Sequence, residues 1–242
     1  MTLAAVLEVR LDPLDNPAWR ALTGEQREFG VAGVLAARYR ADVSPIAAVA
    51  ESSIEATNEL SQLVTPGEIV AVIEAGPVDA SLWQELTTIE LTQWVCEQLE
   101  PNDSELVWIE LSDGDSEDMQ SLVKATDPGP FERMTHQLGD YVGVRVENRL
   151  VSMAGERICF DGNREVSAVC TAEGFGGRGY AQGLVAEIVA RQHRVNCRSF
   201  LHVRVGSPAE QIAGRVYAKL GYRERIRYPM KVLRRSHQRD PA

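Results

Sequence analysis

The sequence predicts an α/β fold of mixed, α+β type, with helices packed on a sheet, and three observations carry that expectation. From residue 105 to residue 233 the apolar pattern switches repeatedly between strand and helix periodicity, in the order β-α-α-β-β-β-α-β-α-β. A glycine-rich bend joins the apolar run EVSAVCT, residues 165–171, to an amphipathic run that follows it. Apolar residues make up 44% and charged residues 25% of the 242 residues, the balance of a soluble globular chain long enough to bury a core without disulfides or metal staples.

The elements follow in order. NPAWRALTGEQREF, residues 16–29, reads as a helix, with Asn16 as N-cap and Pro17 in the first helical position. GVLAARYR, 33–40, reads as a strand, AESSIEATNELSQL, 50–63, as a helix, and EIVAVIEA, 68–75, as a buried strand. ELTTIELTQWVCEQL, 85–99, fits helix and strand equally well. The polar segment EPNDSE, 100–105, is the best internal boundary, and SDGDSED, 112–118, is a second break. Beyond it ELVWIEL, 105–111, alternates as a strand; 116–126 and 130–138 read as helices. Residues 140–160 form a hairpin turning at Glu147–Asn148. Strand 165–171 follows the turn Asp161–Gly162–Asn163. Then come helix 178–195, strand 199–205, a helix opened by Ser207–Pro208 and ended by Gly221, and a closing strand, 222–233. No internal repeat is obvious.

Composition narrows the function. No run of apolar residues is long enough to span a membrane, and MTLAAVLEVRLD lacks the basic start of a signal peptide. The four cysteines, Cys96, Cys159, Cys170 and Cys197, are scattered without metal-ligand spacing, so buried thiols in a reducing, cytoplasmic setting and no metal are expected. Charge is split: residues 1–130 hold 6 Lys+Arg against 24 Asp+Glu, and residues 131–242 hold 19 against 11. A basic half suits a polyanionic ligand, and two opposed surfaces attracting each other across an interface explain the same numbers.

The chemistry concentrates at AVCTAEGFGGRGYAQGLV, residues 168–185. A strand, a glycine-rich turn and a helix in this order form an anion site. The first helical N–H groups have no intrahelical partner, the helix dipole is positive there, and glycines let the backbone approach a phosphate. Gly174, Gly176 and Gly179 satisfy G-x-G-x-x-G, but the following strand, SFLHVRV, ends in Arg204–Val205 without the acid a dinucleotide ribose requires. The lysine-bearing phosphate loop of nucleotide hydrolases is absent as well.

GGRGYA, residues 176–181, between EVSAVCT and QGLV, resembles the acetyl-CoA-binding motif of the GNAT N-acetyltransferase superfamily, [Q/R]-x-x-G-x-[G/A]. AGRVYAKLGY, residues 213–222, is similar to the family's second signature, A-x-x-x-Y-x-x-x-G-[F/Y]. The resemblance covers roughly the last 130 residues and implies a central, mostly antiparallel sheet flanked by helices. It sets a GNAT-like domain at 104–236, an accessory α/β domain or degenerate second copy of the fold at 1–103, and a tail at 237–242. Two positions depart from the pattern. Gly176 stands where the family usually has Gln or Arg, so one side-chain contact is absent while the backbone amides remain. Glu210 replaces the Asn usual at the next helix start.

The resemblance implies the site. Val169, Cys170 and Thr171 would pair with the pantetheine arm like an extra strand, the N–H groups of Gly177, Arg178, Gly179, Tyr180, Ala181 and Gln182 would hold the pyrophosphate, and Gly176 completes the cofactor-binding positions. Strand 199–205 would splay from strand 165–171 to leave a gap for the thioester. Tyr217 would donate a proton to the departing CoA thiolate, or else serve as a core aromatic. Glu165, 11 residues before Gly176, is the candidate base; a cross-strand ion pair with Arg157 is its alternative. His202 could act through water, Glu156 is a weaker candidate, and a Cys170–His202 nucleophile is disfavoured because a thiol in apolar company has a high pKa. The implied function is acetyl transfer from acetyl-CoA to a small or protein amine, with a non-catalytic CoA- or acyl-CoA-binding regulator as the alternative. A nucleic-acid role for the basic segment RRSHQR, 234–239, is disfavoured. No membrane partner is expected, and a homodimer is compatible with the sequence.

Overall fold

The computed structural model describes residues 12–102, 106–207 and 210–237, without the side chains of residues 211–213. Parts of the expected 100–105 boundary, of strand 105–111 and of the 237–242 tail lie outside the described residues, as do Met1–Leu11 and Pro208.

The first half contributes helix α1 (Pro17–Thr23), strands β1 (Gly30–Ala32), β2 (Ala36–Tyr39) and β3 (Ile46–Val49), helix α2 (Ile54–Leu63), and strands β4 (Ile69–Ile73) and β5 (Trp83–Cys96). The second half contributes β6 (Ile109–Leu111), α3 (Ser116–Thr126), β7 (Tyr141–Val146), β8 (Arg149–Phe160), β9 (Asn163–Thr171), α4 (Tyr180–Arg194), β10 (Arg198–Arg204), α5 (Glu210–Lys219) and β11 (Arg223–Arg235). Most expected elements are present, and the differences have local causes. Asn16 does not cap α1, because its side chain donates to the Val49 carbonyl at 2.7 Å. The expected helix 130–138 is only a 3-10 turn, Thr135–Leu138, since Pro128, Gly129 (φ 128°) and Pro130 break what precedes it. The β7–β8 turn places Glu147 and Asn148 at φ 50° and 63°, the left-handed pair that matches strand twist.

Among the described residues all eleven strands join one sheet, in the order β1-β2-β3-β4-β11-β5-β10-β9-β8-β7-β6. Only β3–β4 and β9–β10 are parallel, each joined through a helix; the other neighbours are antiparallel. The order is a palindrome of connectivity. β1-β2-β3-α2-β4 on one side mirrors β7-β8-β9-α4-β10 on the other, and each half's closing strand crosses to the opposite side. Thus β5 pairs with β10, β11 pairs with β4, and the two closing strands pair with each other from Arg223–Val95 to Arg235–Trp83.

The ambiguous segment 85–99 therefore becomes mainly a strand, flanked on both edges. Its Thr87, Thr88, Ile89, Thr92 and Val95 are β-branched and fit a pleated surface, but only the two partners decide the matter. The core beneath α1 mixes both halves, with Leu14, Leu22, Tyr39 and Ile46 packed with Ile158, Phe160 and Phe200. On the α4 side, Leu184, Val185 and Ile188 pack on Val166, Cys170 and Leu201.

The sequence boundary near residue 103 thus does not coincide with an edge of the sheet. A chain beginning at residue 104 loses β5 and bares the facing edges of β10 and β11. We expect such a fragment to aggregate and show no cooperative melt, whereas the full chain melts in one transition; a soluble, cooperatively melting fragment would refute this.

Candidate active site

The site begins where two strands part. β9 and β10 pair only at Asn163–Arg198, Arg164–Ser199 and Glu165–Phe200, although β9 continues to Thr171 and β10 to Arg204. Two features drive the divergence. β10 is held on its other edge by β5 over residues 199–204. In β9, Ala168 adopts φ 53°, and the register steps from Gly155–Ser167 to Met153–Cys170, so Ala168 and Val169 together oppose Ala154. Such a bulge bends its strand away from the neighbouring ladder. The slot left between residues 166–171 and 201–204 has no strand partner on either inner edge.

The glycine-rich bend lies at the open end. Gly174, Gly177 and Gly179 have φ of 81°, 75° and 79°, a conformation that costs other residues about 1–2 kcal/mol. A Cβ at any of Gly174, Gly176, Gly177 or Gly179 would meet no atom within 4 Å, so the bend faces open space. Gly179 caps α4 without a side chain, and among the described residues none of the amides of 176–182 donates to the protein. A run of unpaired N–H groups at a helix N-terminus is a nest for an anion such as a diphosphate. Arg178 lies over the Phe175 ring at 5.0 Å and donates to the Gly174 carbonyl at 3.2 Å. The Gln182 amide donates to Asn102 at 3.3 Å.

Val169, Cys170 and Thr171 line the slot on β9. The Cys170 side chain turns into the α4-side core, where burial pushes its thiol up to about 11. His202 lies on the opposite face against Phe200, so the two do not meet. Tyr217 is nearly buried on α5, edge-on to Tyr222 at 5.7 Å, and burial pushes its hydroxyl up to about 12, which keeps the proton on at neutral pH. Glu156 faces the far end of α4, accepting from Gln192 at 2.9 Å and from the Asp140 amide at 3.1 Å.

Glu165 requires a correction. Its carboxylate is fully buried and both oxygens are taken. Arg157 Nε and Nη2 donate at 2.9 and 2.7 Å, and His202 Nδ1 donates at 2.8 Å. Burial pushes the carboxyl up, but the Arg157 charge and these hydrogen bonds outweigh it and hold it at about 2. A carboxylate that weak, fully buried and accepting three hydrogen bonds, is poorly suited to take a proton from an alkylammonium of ordinary pKa ~10. The ion pair with Arg157 is the arrangement present. The chain of bonds continues from His202 Nε2 to the Tyr228 hydroxyl and the Gln93 amide. Neither Tyr228 nor Gln93 carries a sequence signal, because each is brought beside His202 only by the exchange of the closing strands β5 and β11.

The FR47-like protein family matches residues 141–230. A GNAT-family protein from Novosphingobium aromaticivorans is 30% identical, with a TM-score of 0.84 over 94% of this chain and 100% of that one. The chain belongs to the GNAT family. A GCN5-related N-acetyltransferase from Kribbella flavida, at 18% identity and TM-score 0.61 over 90% and 93% of the two chains, shares the fold. So does a GCN5-related N-acetyltransferase-like protein from Streptococcus suis, at 11% identity and TM-score 0.53 over 83% and 82%. No curated protein matches the sequence. No described helix is long and apolar enough to cross a membrane, and no metal-binding cluster occurs among the described residues.

The Glu165 ion pair has a measurable signature. Its folded value of about 2 lies below the usual 4.5, so the unfolded chain binds this proton first on acidification. The stabilisation is complete above the unfolded value and is lost as pH falls toward the folded one. Denaturation midpoints are expected to drop through that window, and Glu165→Gln is expected to flatten the drop while lowering the midpoint near neutrality.

Proposed function

We propose that this GNAT-family protein is an acetyl-CoA-dependent N-acetyltransferase acting on a primary amine by direct attack. The observation that carries the reading is the run of unpaired amides at 176–182, placed at the open end of the β9–β10 slot. Acetyl-CoA would supply an activated acetyl thioester. Amides 177–182 would hold its pyrophosphate, and the free edge of Val169–Cys170–Thr171 would take up the amides of its pantetheine arm. A backbone N–H near Val169 or Cys170 would stabilise the oxyanion that forms on attack. Attack forms the N–C bond and that oxyanion, whose collapse breaks the C–S bond; the amine's surplus proton passes to water, and Tyr217 protonates the departing thiolate and is reprotonated from solvent. The strongly acidic first half favours a cationic acceptor, a small amine or a protein amine.

The first half supports a single cofactor site. Its parallel pair β3–β4 mirrors β9–β10, but at α2 Ser53 caps the helix by accepting from the Ala56 amide. A Cβ at Gly76 would come within 2.6 Å of the Ser52–Ser53 backbone. The equivalent bend is therefore filled by the protein itself, and Glu51 and Glu55 add charge that repels phosphate. Calorimetry is expected to give one CoA per chain; two sites would overturn this. Gly179→Val, which strains a left-handed position and crowds the nest, should weaken CoA binding more than about tenfold while lowering the melting temperature by about 2–8 °C without loss of the fold.

Release of free thiol from acetyl-CoA, screened over a panel of amines, tests turnover. Tyr217→Phe is expected to lower kcat by about 10²–10⁴-fold, the range for a general acid, with CoA affinity retained. CoA binding without thiol release for any amine would favour the alternative of a non-catalytic CoA-binding regulator, which the absence of a side chain at Gly176 makes worth testing.

A further inference from the structure

A polar ladder crosses the sheet on the α1 side, at the depth where the slot opens. Arg157 of β8 pairs with Glu165 of β9, Glu165 accepts from His202 of β10, and His202 meets Gln93 of β5 and Tyr228 of β11. Every member sits close to zero exposure: Glu165 and Gln93 at 0%, Tyr228 at 3%, and the side chains of His202 and Arg157 at 4% and 12%. The bonding order suits one imidazole tautomer. Gln93 Oε1 accepts from Arg225 at 2.9 Å, so its amide nitrogen is the donor, to the Leu14 carbonyl at 2.9 Å and toward His202 Nε2 and the Tyr228 hydroxyl, each at 3.2 Å. With the ring proton on Nδ1, directed at the Glu165 carboxylate, Nε2 accepts from Tyr228, which accepts in turn from Gln93.

Position gives this ladder its meaning. Glu165 stands on the last paired rung of β9 and β10, and His202 stands two residues past the rung, on the arm that β5 draws away. The Glu165–His202 hydrogen bond is thus a bridge across the root of the slot. We propose that Glu165 and His202 are positioning residues, a strut between the diverging strands that sets how wide and how deep the thioester slot is. The proposal rests on the acetyltransferase reading of the same slot. In it Arg157 anchors the carboxylate, while Tyr228 and Gln93, with Arg225 bonded to Asp15 behind them, fix the imidazole from the far side. Tyr39 and Tyr141, which would act on Arg157 only if ionised, are held protonated and uncharged by burial, so the anchoring charge faces the Glu165 carboxylate. No proton leaves the ladder during turnover.

A strut and a general base predict different kinetics. The test compares wild type, Glu165→Gln and the double variant Arg157→Met/Glu165→Gln, with calorimetric CoA affinity, KM for acetyl-CoA, kcat and the pH dependence of kcat/KM, on protein whose fold is checked by circular dichroism. In Glu165→Gln the new amide hydrogens oppose the Arg157 guanidinium, which disturbs the strut. CoA affinity should fall and KM rise by at least about tenfold, with the ionisations in the pH profile in place. Removing the guanidinium as well lets the carbonyl of the introduced amide accept from His202 again, so the double variant should recover most of the affinity and rate. Should Glu165→Gln fail to fold, the double variant decides alone: near wild-type turnover supports the strut. Unchanged CoA affinity, loss of the acid limb of the pH profile, and a double variant as slow as the single one would make Glu165 the base and overturn the proposal. A wild type that does not bind CoA removes the parent reading instead, and the strut with it. Nitrogen NMR of His202 reports the tautomer independently of any ligand, and a proton on Nε2 in the resting protein would contradict the ladder.

Discussion

Strand β10 is paired on both edges, and β5 holds its edge for longer than β9 holds the other. Its register with β10 runs through residues 199–204, whereas β9 keeps only the first three rungs. Everything functional in the fold follows from that imbalance. The slot exists because one inner edge of β9 is left without a partner. A parallel strand continuing along that edge would have closed it with the same kind of hydrogen bonds a pantetheine arm offers. The bulge at Ala168 acts in the same direction, turning the strand where the ladder ends.

The exchange of closing strands makes the two halves one object. β5 comes from the acidic half and β11 from the basic half, yet each finishes the other's sheet. The opposed charges then meet across that junction. Arg198 pairs with Asp12 and Glu97, and Arg225 with Asp12 and Asp15, so part of the charge split serves cohesion. The same halves also show how one topology yields one open and one closed bend. Glycines without neighbours surround the start of α4, and at α2 a serine cap and the close pass of Gly76 fill the equivalent place.

Legibility followed range. The glycine-rich bend, its strand and its helix were readable because the requirement for positive φ and unpaired amides is local, carried by Gly174, Gly177 and Gly179 themselves. The hairpin at Glu147–Asn148 and the helix Ser116–Thr126 were readable for the same reason. Segment 85–99 was not, because its propensities balance and only β10 and β11 decide it. Glu165 was readable as a charged residue on a strand near the slot. Its surroundings were half readable, since the sequence left a base and an ion pair with Arg157 open, and only the placing of Arg157 and His202 around it gives the bound anion.

The sequence by itself determined the family of the second half, the glycine-rich bend before α4 and the tyrosine on the last helix, all features set by residues within a few positions of one another. Only the tertiary structure decided that the chain builds a single sheet with exchanged strands, that the slot opens after the third rung, and that the buried carboxylate is bound rather than free. These depend on contacts between residues as far apart in the chain as Arg225 and Asp15, and no local pattern encodes which strand reaches an edge first.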